Sequence, residues 1–360
     1  MKKYRVAQVG CGNRGKTHLD GWLQNADRCE LAAVCDLDEA RMRDGIRNCP
    51  QPPALYADAE TMLAEVKPDI FCFSTPPRIR LSMVELAAQY KVKGLVFEKP
   101  MALDLATAHR ILRLCREHGI KAAVSHQQKY LSSFEKFKAT LDAREIGEVV
   151  HITATCQNGL SLLGTHFIDY ALWANGGVKA RWVAAHVHGK RAWLNDPEHP
   201  SPDYVLAKIE FENNVTGLLE FGQCAPMHMG KRGSCIDNRL TAHGTHGYVW
   251  CDTDGGWGMF TKNTGRELIA GKGDDWRTQE KTRLQPLFAR DLIAWLDDDK
   301  KVHPCNIDIT CHGYEILEGI GRSALDHTRV DFPLQADDGG GNDLFQRMRN
   351  ELPDCAPLYP

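Results

Sequence analysis

The chain has 360 residues, of which 43% are hydrophobic and 25% are charged, an ordinary globular composition that excludes a disordered or fibrous protein. At about 100–200 residues per domain, this length predicts two domains. The formal net charge of -3 predicts no nucleic-acid partner, and the apolar runs are far shorter than the roughly 20 residues of a membrane-spanning helix.

The first residues mix two lysines with a short apolar stretch that contains Arg5 and Gln8. This pattern predicts a first β-strand rather than a signal peptide. The 13 cysteines are odd in number, scattered and without a CxxC pair, so we interpret them as reduced thiols. Both observations predict a cytoplasmic protein.

Apolar strands alternate with amphipathic helix patterns over the first 124 residues. Leu19, Trp22 and Leu23, for example, have the spacing of one helix face. This alternation is typical of a doubly wound parallel sheet. We therefore expect an N-terminal Rossmann domain over 1–124, with strands at 4–9, 30–35, 69–74, 94–97 and 120–125.

Strand patterns dominate after residue 125. The segments 204–211 and 215–221 flank Asn213-Asn214, which predicts a hairpin in an antiparallel sheet with one covered face. Two late helix patterns, around Phe288 and Ile316, fall in the same part of the chain. We expect a second α/β domain over 125–334 and a loosely packed tail over 335–360.

The segment Gly10-Cys11-Gly12-Asn13-Arg14-Gly15 lies between a predicted strand and a predicted helix. This is the GxGxxG pattern that places a pyrophosphate at a helix N-terminus, although a mere tight turn is the alternative. Asp36 ends the second strand and would accept hydrogen bonds from ribose hydroxyls while repelling a 2′-phosphate. The pattern therefore predicts NAD rather than NADP. The alternative is that Asp36 caps the next helix, and the two roles could hold together.

Two further residues suggest proton transfer. Lys99 follows the predicted strand 94–97 at its carboxyl end, where ligands bind in such sheets, and burial would lower its pKa toward neutrality. His166 opens a predicted helix on which Asp169 and Trp173 share its face. The alternatives are a surface lysine and a structural histidine. Two ligands are too few for a zinc site, so no metal is predicted.

Together these motifs resemble the Gfo/Idh/MocA family of oxidoreductases from Tyr4 to about Pro333. The resemblance is carried by short motifs in a specific order: the GCGNRG turn followed by His18, Thr75-Pro76-Pro77, Glu98-Lys99-Pro100, Gly164-x-His166-x-x-Asp169 and Gly244-x-x-Gly247.

The resemblance implies a Rossmann domain followed by an α/β domain with an open, largely antiparallel sheet. It implies NAD(P)-dependent oxidation or reduction of a sugar, glycoside or cyclitol, and a homo-oligomer (dimer or tetramer) assembled through that sheet. Lys99 inherits a catalytic role, commonly with a cis Lys–Pro peptide. His166 inherits an acid/base role, and Asp169 would contact the substrate or the histidine.

The remaining site assignments follow from these motifs. Substrate binding is expected at Asp169, Lys129, Tyr130 and Trp173. Cofactor binding is expected at Gly10, Gly12, Asn13, Arg14, Gly15, Asp36, Thr75, Pro76, Glu98 and Lys99. The chain departs from the family at two positions, where Leu162 replaces a frequent aspartate and Arg80 a frequent histidine.

Two rival functions are compatible with these motifs. Some relatives of the family cleave glycosides through a transient keto intermediate with NAD recycled in place. The second rival is a non-catalytic protein that senses NAD or a sugar. It is compatible with the sequence because Leu162 replaces the aspartate that is frequent in the family. Lys99 and His166 favour a dehydrogenase over both.

Overall fold

The computed structural model describes residues 3–191, 194–196, 198–228, 237–335 and 344–353. The chain divides into two compact units, each built from several segments. The first comprises Met1–Leu103, Thr107–Tyr130 and Arg277–Thr310; the second comprises Asp104–Ala106, Leu131–Trp276 and Cys311–Pro360.

The first unit contains a six-stranded parallel sheet. Its order is β3-β2-β1-β4-β5-β6, so β1 lies between β2 and β4, and the chain reverses direction of winding there. Ligands bind at this switch point in doubly wound sheets, beyond the carboxyl ends of the strands. The predicted fold is confirmed, with strands β1 (Tyr4–Val9), β2 (Cys29–Cys35), β3 (Ala54–Tyr56), β4 (Ile70–Phe73), β5 (Gly94–Phe97) and β6 (Lys121–Val124).

The second unit contains a nine-stranded sheet in the order β14-β13-β12-β11-β7-β10-β9-β8-β15. Its pairs are antiparallel except β7 with β10, which confirms the largely antiparallel prediction. The strands are β7 (Val149–Cys156), β8 (Ala180–His188), β9 (Tyr204–Phe211), β10 (Thr216–Gly222), β11 (Asn238–Gly244), β12 (Gly247–Cys251), β13 (Trp257–Phe260), β14 (Leu268–Gly271) and β15 (Val330–Asp331).

One face of this second sheet is covered and the other is open in the single chain. On β9, Val205, Ala207 and Ile209 are buried, whereas Leu206 and Lys208 point to the other face and are exposed. The predicted hairpin joins β9 to β10, and Asn214 takes the left-handed conformation that its turn needs.

Helices connect these strands, and they follow the apolar patterns of the sequence. No helix of the described residues has the length and apolar character needed to cross a bilayer. The helices are α1 (Asn13–Leu23), α2 (Glu39–Gly45), α3 (Ala59–Val66), α4 (Arg80–Gln89), α5 (Leu105–Glu117), α6 (Ser132–Asp142), α7 (Thr165–Ala174), α8 (Trp276–Gln279), α9 (Gln285–Asp297), α10 (Ile307–Asp326) and α11 (Leu344–Glu351).

The expected domain boundaries need one correction, because residues 277–310 belong to the first unit. Helix α9 packs on this unit, where the absence of a side chain at Gly94 makes room for Leu292 and Leu296. The hydroxyl of Tyr4 also donates to Asp297 over 2.9 Å. An amphipathic helix pattern shows that a face is buried, but it cannot show which sheet buries it.

The tail expected over 335–360 needs a second correction. Residues 344–351 form α11, whose Leu344, Phe345 and Met348 are buried. Arg347 of this helix pairs with Asp326 at the end of α10 over 2.8 Å. Apolar burial therefore attaches this part of the tail to the second unit. Residues 336–343 and 354–360 lie outside the described residues.

Candidate functional site

The glycine-rich turn between β1 and α1 has the geometry of a phosphate-binding loop. Gly10 has φ +87°, and a Cβ there would lie 2.5 Å from the carbonyl oxygen of Ser74. A Cβ on Gly15 would lie 2.0 Å from the carbonyl oxygen of Gly10, so only glycine allows α1 to pack this closely. Nothing lies within 4 Å of a Cβ on Gly12, the N-cap of α1. The turn thus leaves open space at the helix N-terminus, as anion binding requires.

Asp36 follows β2 and holds this turn. Its Oδ2 accepts the N–H of Cys11 over 2.7 Å, and its Oδ1 accepts the N–H of Asp38 over 3.0 Å. The N-cap of α2 is Asp38, whose carboxylate accepts from the backbone of Ala40 and Arg41. The capping role that the sequence left open for Asp36 therefore belongs to Asp38.

Ser74 and Thr75, the two residues after β4, show whether this edge of the sheet fits a dinucleotide. The hydroxyl oxygens of Ser74 and Thr75 are buried, and no described residue hydrogen-bonds to either of them. Buried hydroxyls without a protein partner are uncommon, and here they lie beside Gly10, at the edge of the sheet where a ligand binds. The turn, Asp36 and these hydroxyls fit NAD, as predicted.

Lys99 lies directly beyond the carboxyl end of β5, and its peptide bond to Pro100 is cis. Burial lowers the pKa of Lys99 to about 8, and the Glu98 carboxylate opposes this effect. The guanidinium groups of Arg14 and Arg80 lower the pKa further. A lysine with this pKa is partly neutral near physiological pH and can accept a proton.

A buried charge network surrounds this lysine. Oε1 of Glu98 accepts from Nη2 of Arg14 over 3.0 Å and from Nε2 of His18 over 2.9 Å. Arg14 also pairs with Glu280, which lies in a π-helical turn just before α9. Burial alone would raise the pKa of Glu98, but Arg14, His18 and Lys99 lower it well below its usual range. The Glu98 carboxylate thus interacts with two cationic side chains, Arg14 and Lys99, and with the imidazole of His18.

This network adds a structural role for Arg14 and Glu98. Their charged ends contact each other, which orders the cofactor turn and the Lys99 loop, and their expected cofactor contacts stay predictions. His18 carried part of the family resemblance but had no assigned role. Glu280 was missed entirely, because no local pattern marks a residue that pairs with another 266 positions away.

In the second unit, His166 is buried and shares a hydrogen bond between its Nδ1 and the hydroxyl of Tyr170 over 2.9 Å. The two rings meet edge to face, and Tyr170 packs in turn against Phe134. This packing fixes the orientation of the imidazole. Sequence reasoning missed Tyr170, although its i, i+4 spacing from His166 was visible.

The expected helix-start position of His166 is wrong. A π-helical turn, Leu160–Gly164, runs directly into α7, so the chain is already helical before the histidine. The positive end of the helix dipole therefore lies about a turn earlier than the sequence indicated. Leu162 lies within this turn, where the family often has its aspartate.

Three of the expected substrate residues have structural partners in this structure. The ammonium of Lys129 donates to the carbonyl oxygen of Pro304 over 2.7 Å, and the hydroxyl of Tyr130 donates to Asp291 over 2.6 Å. These contacts attach residues 277–310 to the rest of the first unit, and the expected substrate contacts of Lys129 and Tyr130 stay predictions.

Trp173 is the third expected substrate residue that has a structural partner, which its ring contacts. It stacks on Phe137 of α6, with 6.4 Å between ring centroids, and its expected substrate contact stays a prediction. Asp169 is 1% exposed on α7 and stays a prediction.

A Rossmann unit with a phosphate turn and a buried lysine beside it defines an oxidoreductase of the dinucleotide-binding class. Residues 4–126 match the family model described as oxidoreductase family, NAD-binding Rossmann fold, and residues 159–250 match the GFO/IDH/MocA C-terminal domain. The chain belongs to the Gfo/Idh/MocA family, and its cofactor is NAD.

Two curated relatives of this chain are both named D-apiose dehydrogenase. A D-apiose dehydrogenase of Paraburkholderia graminis is 31% identical over 152 residues, which covers 41% of this chain and 38% of that protein. A D-apiose dehydrogenase of Rhizobium rhizogenes is 27% identical over 242 residues, which covers 61% of this chain and 66% of that protein. The chain therefore matches less than two thirds of the length of either relative.

A solved structure of an NAD binding oxidoreductase from Klebsiella pneumoniae has the same fold. Its TM-score is 0.78 at 17% identity, and the match covers 92% of this chain and 100% of that one. Within the described residues of our chain, no three His, Cys, Asp or Glu side chains are placed to hold one metal ion.

Proposed function

We propose that the protein is an NAD-dependent dehydrogenase that oxidises a hydroxyl-bearing carbon of a sugar, glycoside or cyclitol. The observation that carries this proposal is the position of Lys99, a lysine of lowered pKa at the carboxyl end of β5, in the same unit as a turn that fits NAD. The names of the D-apiose dehydrogenases support a sugar as the substrate class.

In this proposal Lys99 is the general base. Bound NAD supplies the hydride acceptor at its nicotinamide ring. The neutral amine of Lys99 takes the hydroxyl proton while the carbon gives up its hydride, so the substrate leaves as a ketone or aldehyde. The resulting ammonium donates a hydrogen bond to the new carbonyl oxygen, which stabilises negative charge on that oxygen in the transition state.

His166 is proposed as a second acid/base group, oriented by Tyr170. Asp36 is proposed to accept from the adenine ribose, and Thr75, Pro76, Asn13, Gly10, Gly12 and Gly15 are proposed to contact the cofactor. Asp169 is proposed as a partner of the substrate or of His166. We place the reaction in the cytoplasm, where reducing conditions would keep the many thiols reduced.

The test is to identify the nucleotide released from the denatured protein and to follow NADH formation with D-apiose, inositols and glycosides. Oxidation of a free sugar or cyclitol would support the proposal. Release of an aglycone without net NADH would replace it with glycoside cleavage. Binding of NAD and sugars without turnover across the panel would replace it with a sensing role.

The open face of the second sheet is proposed to join copies of this chain into a dimer or tetramer. Leu206 on β9 and Leu218 on β10 both lie on this face, because Leu218 is in register with the exposed Lys208. Apolar side chains on an open sheet face are typical of a protein interface.

Replacing Leu206 and Leu218 together with glutamate is expected to dissociate the oligomer, because the interface would bury two unpaired charges. Analytical ultracentrifugation would show a shift to monomer at micromolar concentration. Val302→Glu is the control, since Val302 is 54% exposed on the other unit. An unchanged sedimentation coefficient in the double variant would contradict assembly through this face.

A further inference from the structure

We propose that Gln8 is a positioning residue for the cofactor, whose side-chain amide fixes the glycine-rich turn in the conformation that receives the pyrophosphate. This inference rests on the proposed cofactor contacts of that turn and not on the identity of the substrate. Gln8 precedes the GxGxxG pattern, so none of the motifs described above includes it.

Gln8 is a polar residue in an otherwise apolar position. It lies in β1 and is 0% exposed. In the sheet it is in register with Val34 of β2 and with Cys72 of β4, and both of these are fully buried. Oε1 of Gln8 is buried and accepts no hydrogen bond from the residues that the structure describes. Burying an amide in this way costs free energy that an apolar side chain would avoid, so we expect Gln8 to contribute more than core packing.

The other half of the amide joins the two ends of the turn. Nε2 of Gln8 donates to the carbonyl oxygen of Gly10 over 3.1 Å and to that of Gly15 over 2.8 Å. Gly10 follows β1, and Gly15 lies in the first turn of α1. These two hydrogen bonds therefore fix the end of the strand against the start of the helix.

The start of α1 is the part of the turn that would bind phosphate. The first N–H groups of a helix have no acceptor within the helix, and the N-cap, Gly12, has no side chain to accept them. An anion binds there only if these N–H groups point at it. By holding Gly15 to Gly10, Gln8 fixes their direction before NAD arrives. Such preorganisation raises affinity, because the turn loses no further conformational entropy on binding.

The experiment compares two ligands in the variant Gln8→Met, which removes the donor with little change in side-chain volume. ADP-ribose carries the pyrophosphate, whereas adenosine does not. Displacement of bound NADH, followed by its fluorescence, yields the dissociation constant of each ligand without turnover. The loss of two hydrogen bonds should raise the dissociation constant of ADP-ribose about tenfold and that of adenosine by less than about twofold.

Asn25 is the matched control. It is a buried amide of the same unit, 1% exposed, and its Nδ2 donates to the carbonyl oxygens of Gly21 over 2.8 Å and of Pro286 over 2.9 Å. It lies beyond the other end of α1. Asn25→Leu should therefore lower the melting temperature but leave the ratio of the two dissociation constants unchanged. Equal weakening of both ligands in Gln8→Met would contradict the inference, because it would show a structural role alone.

Gln8→Glu adds a pH readout. A carboxylate cannot donate a hydrogen bond, whereas a protonated carboxyl group donates one. Burial raises the pKa of such a carboxyl group, so its affinity for ADP-ribose, relative to that of the wild type at the same pH, should recover from about pH 8 to about pH 6. Gln8→Met should show no such recovery. A Gln8→Glu protein that binds ADP-ribose as tightly as the wild type throughout this range would overturn the inference.

A folded Gln8→Met protein with an unchanged ratio of dissociation constants would also overturn it. If no Gln8 variant folds, a crystal structure of the wild type with ADP-ribose decides. It should show Nε2 of Gln8 bonded to both carbonyl oxygens and the pyrophosphate on the N–H groups at the start of α1; a side chain turned away from the turn would contradict the inference. Failure of the proposed cofactor contacts is distinguishable, because the wild type would then bind ADP-ribose no more tightly than adenosine.

Discussion

Replacing Lys99 with alanine is expected to lower kcat for sugar oxidation by about 10³-fold, within the range that general bases contribute. The amine is the group proposed to take the hydroxyl proton, and no other lysine shares its buried position beside Glu98 among the residues described. The dissociation constant for NAD should change by less than about threefold, because the phosphate turn and Asp36 are untouched. Steady-state kinetics and calorimetric titration with NAD would measure the two effects separately.

Two control variants sharpen this prediction. Lys99→Arg keeps a positive charge but cannot lose its proton near neutral pH, so it should be nearly as inactive as the alanine variant if Lys99 acts as a base. Lys67→Ala removes an exposed lysine of the same unit and should retain full activity. Turnover of Lys99→Ala within tenfold of the wild type would show that another group accepts the proton.

The double substitution Asp36→Ser with Leu37→Arg is expected to change the ratio of kcat/KM for NAD to that for NADP by about 10³-fold in favour of NADP. In the proposed role, Asp36 would repel a 2′-phosphate, whereas a guanidinium would bind it through charge-assisted hydrogen bonds. Leu37 is 96% exposed directly after Asp36, so an arginine there has room to reach a ligand. Each tenfold change corresponds to about 1.4 kcal/mol.

Asp38→Ser is the matched control for this switch. Asp38 is a carboxylate of the same loop, but its side chain caps α2, and serine can replace it there. Its coenzyme preference should stay that of the wild type. The Asp36 assignment would be wrong if the double variant still preferred NAD while remaining folded.

Much of the first unit could be predicted because its signals are local. The GxGxxG turn follows from the steric freedom of glycine, and the structure places Gly10 and Gly15 where a Cβ would collide with backbone. The position of Lys99 follows from the end of one apolar strand. Neither inference needs to know which distant segment packs nearby.

The features that the sequence could not predict share one physical cause, which is that they depend on long-range contacts. Lys129 and Tyr130 are polar residues whose partners, Pro304 and Asp291, lie more than 150 positions away. Their composition is compatible with a substrate site as well as with a structural anchor. Only the packing of the 277–310 segment shows their structural partners.

The sequence by itself therefore determined the fold class, the family, the cofactor and the identity of the proposed base. These properties are encoded in strand and helix periodicity and in short motifs, which short-range sterics and backbone hydrogen bonding control. The chain order of its apolar patterns was enough to recognise a doubly wound sheet.

The tertiary structure decided which side chains are engaged and how the base is tuned. It paired Arg14 with Glu98 and Glu280, placed Arg80 between two loops, and showed helical turns already in front of His166. A buried charge changes the pKa of a neighbour according to distance and desolvation. Both quantities exist only once the chain has packed, so no pattern along the sequence could supply them.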